Sequence, residues 1–167
     1  MIISYKSPGT LENTRFEKIH SVIFKDSKNA SKIVANEIAA LIKEKQKTKQ
    51  NCVLGLATGS SPISVYNELV RMHKEDGLSF LNVISFNLDE YFPMKHENIQ
   101  SYHHFMNIHL FSHVDIKPEN IFIPKGYLNN DEVNNHCQNY DQKIADLGGI
   151  DFQLLGIGRT GHIGFNE

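Results

Sequence analysis

Three short stretches gather residue types that can do chemistry. Thr58-Gly59-Ser60-Ser61-Pro62 follows an apolar run and precedes a helical pattern. Its small residues let backbone N–H groups converge on an anion, its hydroxyls add donors, and a helix N-terminus adds partial positive charge, so it can hold a phosphate. The same residues also suit a plain tight turn, with Pro62 at the first helical position where its missing donor costs nothing. Asn87-Leu88-Asp89-Glu90-Tyr91 sets two adjacent carboxylates at the end of another apolar run. Asp89, fixed in a partly desolvated cleft, would have a raised pKa suited to moving protons on carbon. Otherwise Asp89 caps the following turn and Glu90 is solvated.

The third stretch runs from Gly156 to Glu167 and contains the spacing GxGxxG through Gly156, Gly158 and Gly161. A dinucleotide-binding reading fails here, because no helical pattern follows and the acidic partner about 20 positions on is missing. Its chemistry lies in His162 and Glu167, five residues apart. An imidazole exchanges protons near neutral pH, and a nearby carboxylate can orient it and raise its pKa. A loop histidine can equally be just a hydrogen-bonded residue. Nine histidines also invite a metal reading, above all His103, His104, His109 and His113, since His109 and His113 would share one helix face. Without an accompanying HExxH glutamate or cysteine set, no metal is expected.

These stretches need elements to position them. Apolar residues at Ala30, Ile33, Val34, Ile38, Leu41 and Ile42 predict a helix over 27–47, capped by Asp26 or Ser27. Cys52 to Leu56 reads as a strand, and Val65, Tyr66, Leu69 and Met72 mark a helix after the first loop. The unit repeats with a strand over 83–88 and a helix through Tyr102, Phe105, Met106, Leu110 and Phe111. A short segment, Ile121-Phe122-Ile123, then a helix over about 131–147 and a strand over 150–157 complete the pattern. Strands alternating with helices, and apolar on both faces, predict an α/β fold with a mainly parallel sheet covered on both sides. In such sheets the working loops lie at the carboxyl ends of the strands.

Composition excludes several functions. With 17 Lys+Arg against 19 Asp+Glu in 167 residues, the chain has no basic footprint for nucleic acid. Its longest apolar run, Ile38 to Ile42, is far below the roughly 20 residues that span a bilayer. Met1 to Arg15 has no apolar signal-peptide core, and the two cysteines, Cys52 and Cys137, lie in separate elements. A reduced, cytoplasmic protein with structural thiols is the expectation.

Taken together, the three loops resemble the glucosamine-6-phosphate deaminase (NagB-like) family. The resemblance is carried by Leu54 to Pro62, Phe86 to Tyr91, Ser101-Tyr102 with Phe105-Met106, His113 to Ile116, and Gly161 to Glu167, in family order and spacing. It implies a Rossmann-like three-layer fold and the conversion of glucosamine 6-phosphate and water into fructose 6-phosphate and ammonia, with no cofactor. It implies that Asp89 shuttles the proton between C2 and C1, that His162 opens the sugar ring with support from Glu167, and that Thr58, Gly59, Ser60 and Ser61 hold the phosphate. Thr160 stands where the best-known members carry an Asp, so its relay role would be played by a hydroxyl.

The family's domain continues past Phe-Asn-Glu and supplies a phosphate-binding Arg and Lys from there. Residues 1–167 are accordingly expected to be the amino-terminal portion of one domain, truncated on its carboxyl side, weak or inactive alone, with 1–21 an irregular extension. The expected partner is a small-molecule sugar phosphate, with no nucleic acid and no membrane; assembly into a homo-oligomer stays open. Two rival readings remain. A 6-phosphogluconolactonase usually ends this motif in Ser-Leu-Phe-Pro rather than Phe165-Asn166-Glu167, and a noncatalytic sugar-phosphate module would suit Thr160.

Overall fold

Strand β1 (Cys52–Leu56) and strand β2 (Val83–Asn87) are buried along their whole length and pair in parallel, Cys52 opposite Val83 through Leu56 opposite Asn87. They form the centre of a four-stranded parallel sheet of order β3-β2-β1-β4, in a computed structural model that describes residues 22–166. The edges are β3 (Ile121–Phe122) and β4 (Phe152–Gln153). The expected extension over 1–21, and Glu167, lie outside the described residues.

Strand side chains alternate between the two faces, and each face finds its own helices. Cys52, Leu54, Leu56 and Val83 pack with helices α1 (Ser27–Lys47), α2 (Ser60–Asp76) and α3 (Tyr102–His109) through Ala35, Ile38, Ile42, Tyr66, Leu69 and Met106. Val53, Ile84 and Phe86 face α4 (Asn130–Asp146) through Tyr140 and Ile144. Full burial of each Leu, Ile or Phe contributes about 1.5–3 kcal/mol, so the central strands are strongly fixed. The layers are helices, sheet, helix, the α/β arrangement anticipated from the sequence. Among the described residues no helix is long and apolar enough to cross a membrane.

The helix ends follow from local chemistry. Asp26 caps α1 by accepting from the Asn29 N–H at 2.8 Å. Asn129 and Glu132 close a reciprocal capping box on α4. Gly77 ends α2 at φ 68°, a left-handed conformation that glycine adopts without strain.

Four expectations need correction. The strand expected over 150–157 is regular only at Phe152–Gln153, with bonds from Asp151 N–H to Val53 C=O and from Leu154 N–H to Gly55 C=O. Its neighbour β1 ends at Leu56, so residues further on have no partner strand to hold them extended. Pro62 is the third residue of α2 rather than the first, still in the turn whose N–H groups have no helical acceptor. The helix carrying the histidines stops at His109, and Leu110 at ψ -64° leads into a separate 3-10 turn, Phe111–His113. His109 and His113 therefore do not share a helix face; His113 Nε2 meets the Ile108 C=O at 2.8 Å, and the His109 ring lies on Phe105. Glu90, finally, is not a solvated bystander, as described next.

Candidate functional site

The chain runs from β1 outward to β2 and β3, then crosses back to place β4 on the other side of β1. The loops after β1 and β4 thus diverge, and the crevice at such a reversal is where open α/β sheets bind ligands. A cleft of about 370 Å³ opens there, lined by Thr58–Ser61, by Asp89, and by the loop that carries Gly158, Arg159 and His162. All three chemically suggestive stretches meet in it.

The first loop is held from below. The buried Tyr66 phenol donates to the Ala57 C=O, anchoring the loop's base to α2. Gly59 then turns the chain at φ 104°, a value that L side chains rarely adopt, and Ser60 starts the helix. The free N–H groups of that first turn face the cleft end of the sheet, and no acidic side chain occupies the turn.

The adjacent carboxylates of the second loop have opposite fates. Glu90 accepts from the backbone N–H groups of Tyr91 at 2.9 Å, Tyr102 at 2.9 Å and His103 at 3.0 Å. It therefore caps the start of α3 from twelve residues upstream, alongside Ser101, whose hydroxyl accepts from the His104 N–H at 3.0 Å. Charge-assisted bonds of this kind are worth about 1.5–3 kcal/mol each. Asp89 is half-buried and faces the cleft. Burial, and secondarily the Glu90 charge beside it, raise its carboxyl above the usual range.

In the third loop the imidazole of His162 packs closely against Gly158, where a Cβ would come within 2.1 to 2.6 Å of three ring atoms. The Gly158 N–H donates to the His162 C=O at 2.9 Å, and the Gly161 N–H closes a turn on the Gly158 C=O at 3.0 Å. At the turn's corner Thr160 puts its hydroxyl 2.8 Å from His162 Nδ1. Gly164, at φ 61°, passes so near the second loop that a Cβ would stand 3.1 Å from Asp89 Oδ2. Phe165 completes an aromatic cluster with Tyr91 and Tyr102, at centroid distances of 5.2 and 5.8 Å, and so fastens the third loop to the second.

The residues from 25 to 164 match the model of a family described as glucosamine-6-phosphate isomerases/6-phosphogluconolactonase. The chain belongs to that family. Its relatives include glucosamine-6-phosphate deaminases of Bacillus velezensis, 50% identical over 134 residues covering 80% of this chain and 55% of that one, and of Clostridium perfringens, 47% identical over 146 residues covering 87% and 58%. A glucosamine-6-phosphate deaminase-like protein of Bacteroides thetaiotaomicron is 49% identical over 92% of this chain and 23% of its own length. The solved structure of a monomeric glucosamine-6-phosphate deaminase superposes with a TM-score of 0.79 at 45% identity, over 86% of this chain and 57% of that one. A 6-phosphogluconolactonase from Thermotoga maritima reaches a TM-score of 0.68 at 22% identity and shares the fold. The chain thus spans a little over half the length of the deaminases it matches.

In this cleft Thr58, Gly59, Ser60, Ser61, Asp89 and His162 come together, with Thr160 bonded to His162, while Glu167 lies outside the described residues. Sequence reasoning did not anticipate Arg159 and Tyr102, which also line the cleft. Burial pushes the Tyr102 phenol well above its usual range, Tyr91 adding to the rise and Thr58 opposing it. Its position follows from the Glu90 cap, which no spacing rule reveals. Among the described residues, no group of three or more His, Cys, Asp or Glu side chains is placed to hold a metal ion.

Proposed function

We propose that the protein is a glucosamine-6-phosphate deaminase, converting glucosamine 6-phosphate and water into fructose 6-phosphate and ammonia. The observation that carries this reading is a desolvated carboxylate, Asp89, in one cleft with a phosphate-type helix N-terminus and a positioned imidazole. The substrate's phosphate seats on the free N–H groups and hydroxyls of Thr58 to Ser61. His162 passes a proton to the ring oxygen as the pyranose opens, exposing the C1 aldehyde. Asp89 removes the C2 proton to give an enolamine and returns it to C1, which leaves an imine at C2. Water adds there and ammonia departs, so atoms balance and no cofactor enters. Thr160 fixes the ring through Nδ1 with a neutral hydroxyl, and Glu167 supports the histidine as the family resemblance implies.

The relatives' greater length makes turnover the expected property of a protein of that length, and sugar-phosphate binding that of residues 1–167. The test is ammonia and fructose 6-phosphate release from glucosamine 6-phosphate at both lengths. Release by the longer protein, well above that of 1–167, supports the reading. Equal rates would overturn the division between binding and turnover. Tight binding without turnover at either length would favour a noncatalytic sugar-phosphate module, and hydrolysis of 6-phosphogluconolactone would favour the other activity named for the family.

A further inference from the structure

Asn87 is the last residue of β2 and is 2% exposed. Its backbone is held from two directions: its C=O accepts from the Tyr140 phenol at 2.8 Å, and the following N–H, of Leu88, donates to the Leu56 C=O at 3.0 Å. Its side chain is not held. Neither Oδ1 nor Nδ2 has a hydrogen-bond partner among the described residues, and both atoms are sealed from solvent.

Folding alone does not account for that amide. Asn is a poor strand residue, and a buried polar group left unpaired gives up its hydration for nothing in return. A leucine of similar size would be buried there without that cost, so the amide points to work at a nearby site. Asp89, assigned above to proton transfer, is two residues further on, which limits the distance between the two Cα atoms to about 7 Å. Over that distance, in an interior of low dielectric, an amide dipole that no partner neutralises acts on a charge. The other charged and titratable groups around Asp89 are Glu90 on its own loop, Tyr102 on α3, and Arg159 and His162 in the third loop. Burial and Glu90 both oppose ionisation of Asp89. An N–H end directed at the carboxylate works against them, as a base requires.

We propose that Asn87 is a positioning residue for the proton-transfer step, its unpaired amide turning its N–H end toward the Asp89 carboxylate and favouring the ionised form, an assignment that rests on the deaminase reading above. The test is an NMR titration of the Asp89 carboxyl carbon in the 167-residue protein, identified by its loss in Asp89→Asn. Wild type, Asn87→Leu, Asn87→Ser and Ser85→Ala are compared, with Tm measured in parallel. Ser85 is the control, because its hydroxyl is also buried and unpaired among the described residues but lies four residues from Asp89. Asn87→Leu should move the Asp89 midpoint up by about 0.5–1 pH unit, Asn87→Ser by less, and Ser85→Ala not at all. Asn87→Leu should also raise Tm, since it removes an unpaired buried group. In a protein of the relatives' length, the acidic limb of kcat/KM should move up by the same amount as the midpoint.

An Asp89 midpoint that stays in place in Asn87→Leu, or moves as far in Ser85→Ala, would overturn the assignment while leaving the deaminase reading intact. A lower Tm in Asn87→Leu would overturn it too, by showing that the amide is paired in solution. If Asn87→Leu fails to fold, the smaller rise in Asn87→Ser decides. A midpoint that moves while the acidic limb does not would uphold the coupling of Asn87 to Asp89 and count against Asp89 as the base of the deaminase reading.

Discussion

Thr58 and Asp89 stand just beyond β1 and β2, five-residue strands that are buried and paired residue by residue, whereas His162 comes from a loop beyond β4, which is two residues long and pairs on one side. The first half of the cleft inherits its geometry from the core. The second half is held by local contacts: the turn from Gly158 to Gly161, the Thr160 hydroxyl on Nδ1, the imidazole lying on Gly158, and Phe165 against Tyr91 and Tyr102. A proton-transfer base can thus be positioned by burial, and its burial also raises its pKa. A histidine at a sheet edge must be positioned by glycines that make room and by side chains that pin the ring.

The contrast can be broken most severely at Asp89. Asp89→Asn keeps the size and packing but removes the proposed base, so in a protein of the relatives' length turnover of glucosamine 6-phosphate should fall about 10²–10⁴-fold while ligand affinity stays near wild type. Steady-state kinetics with a parallel titration checks both halves, and a variant with full activity would remove Asp89 from proton transfer.

On the loop-borne side the matching change is Gly158→Ala. The added methyl would overlap the His162 ring, which must move because it is the flexible partner. A displacement near 1 Å costs about tenfold to a hundredfold in kcat/KM, with little change in Tm. An equal loss of stability and activity would show instead that the third loop is coupled to the core.

Glu90→Gln sharpens the comparison within the strand-borne half. Asp89 must be ionised to act as a base, so the rate should rise with pH through its raised pKa. Removing the Glu90 charge should move that acidic limb to lower pH, and only partly, because burial is the larger cause. The same variant weakens the cap on α3, visible as a lower Tm. A limb that stays in place would leave desolvation as the whole explanation.

The smallest effect is expected at the root of β4. Asp151 pairs with Lys45 at 2.6 Å and accepts from the Val53 N–H at 2.9 Å, fastening the edge strand to α1 and β1. Burial alone would raise its carboxyl, but the bonds from Lys45 and Val53 outweigh it and hold the carboxyl below the usual range. A group depressed in this way adds stability above its unfolded pKa, near 3.9, and loses it as pH falls through the lower folded value. Asp151→Asn should therefore lower Tm modestly at neutral pH, with the gap to wild type closing in acid. A gap that persists in acid would assign the loss to the amide's geometry rather than to the charge.

The parts that could be read directly were those whose signal is local. The apolar spacing of α1, the buried runs of β1 and β2, and the Asp26 cap follow from neighbouring residues alone. The apolar run over 150–157 is longer than strand β4 because a strand's length depends on its partner, and β1 has no residues left to pair beyond Leu56. Glu90 looked solvated because its acceptors' partners, the N–H groups of Tyr102 and His103, are twelve and thirteen residues away. Asp89 and Glu90 have the same charge and adjoin in sequence, so only their opposite directions in space separate the proposed base from a helix cap.

By itself the sequence determined the α/β class, the order of the helices and central strands, and the three loops whose residue types can bind phosphate, hold a base and carry an imidazole, because propensity, periodicity and side-chain chemistry are properties of the chain. Tertiary structure decided that β4 crosses back beside β1 and brings those loops into one cleft. It also decided that Arg159 and Tyr102 enter the cleft, and that Asp89 rather than Glu90 is desolvated. Each of these depends on which groups are excluded from water together, and burial is set by packing between segments distant along the chain.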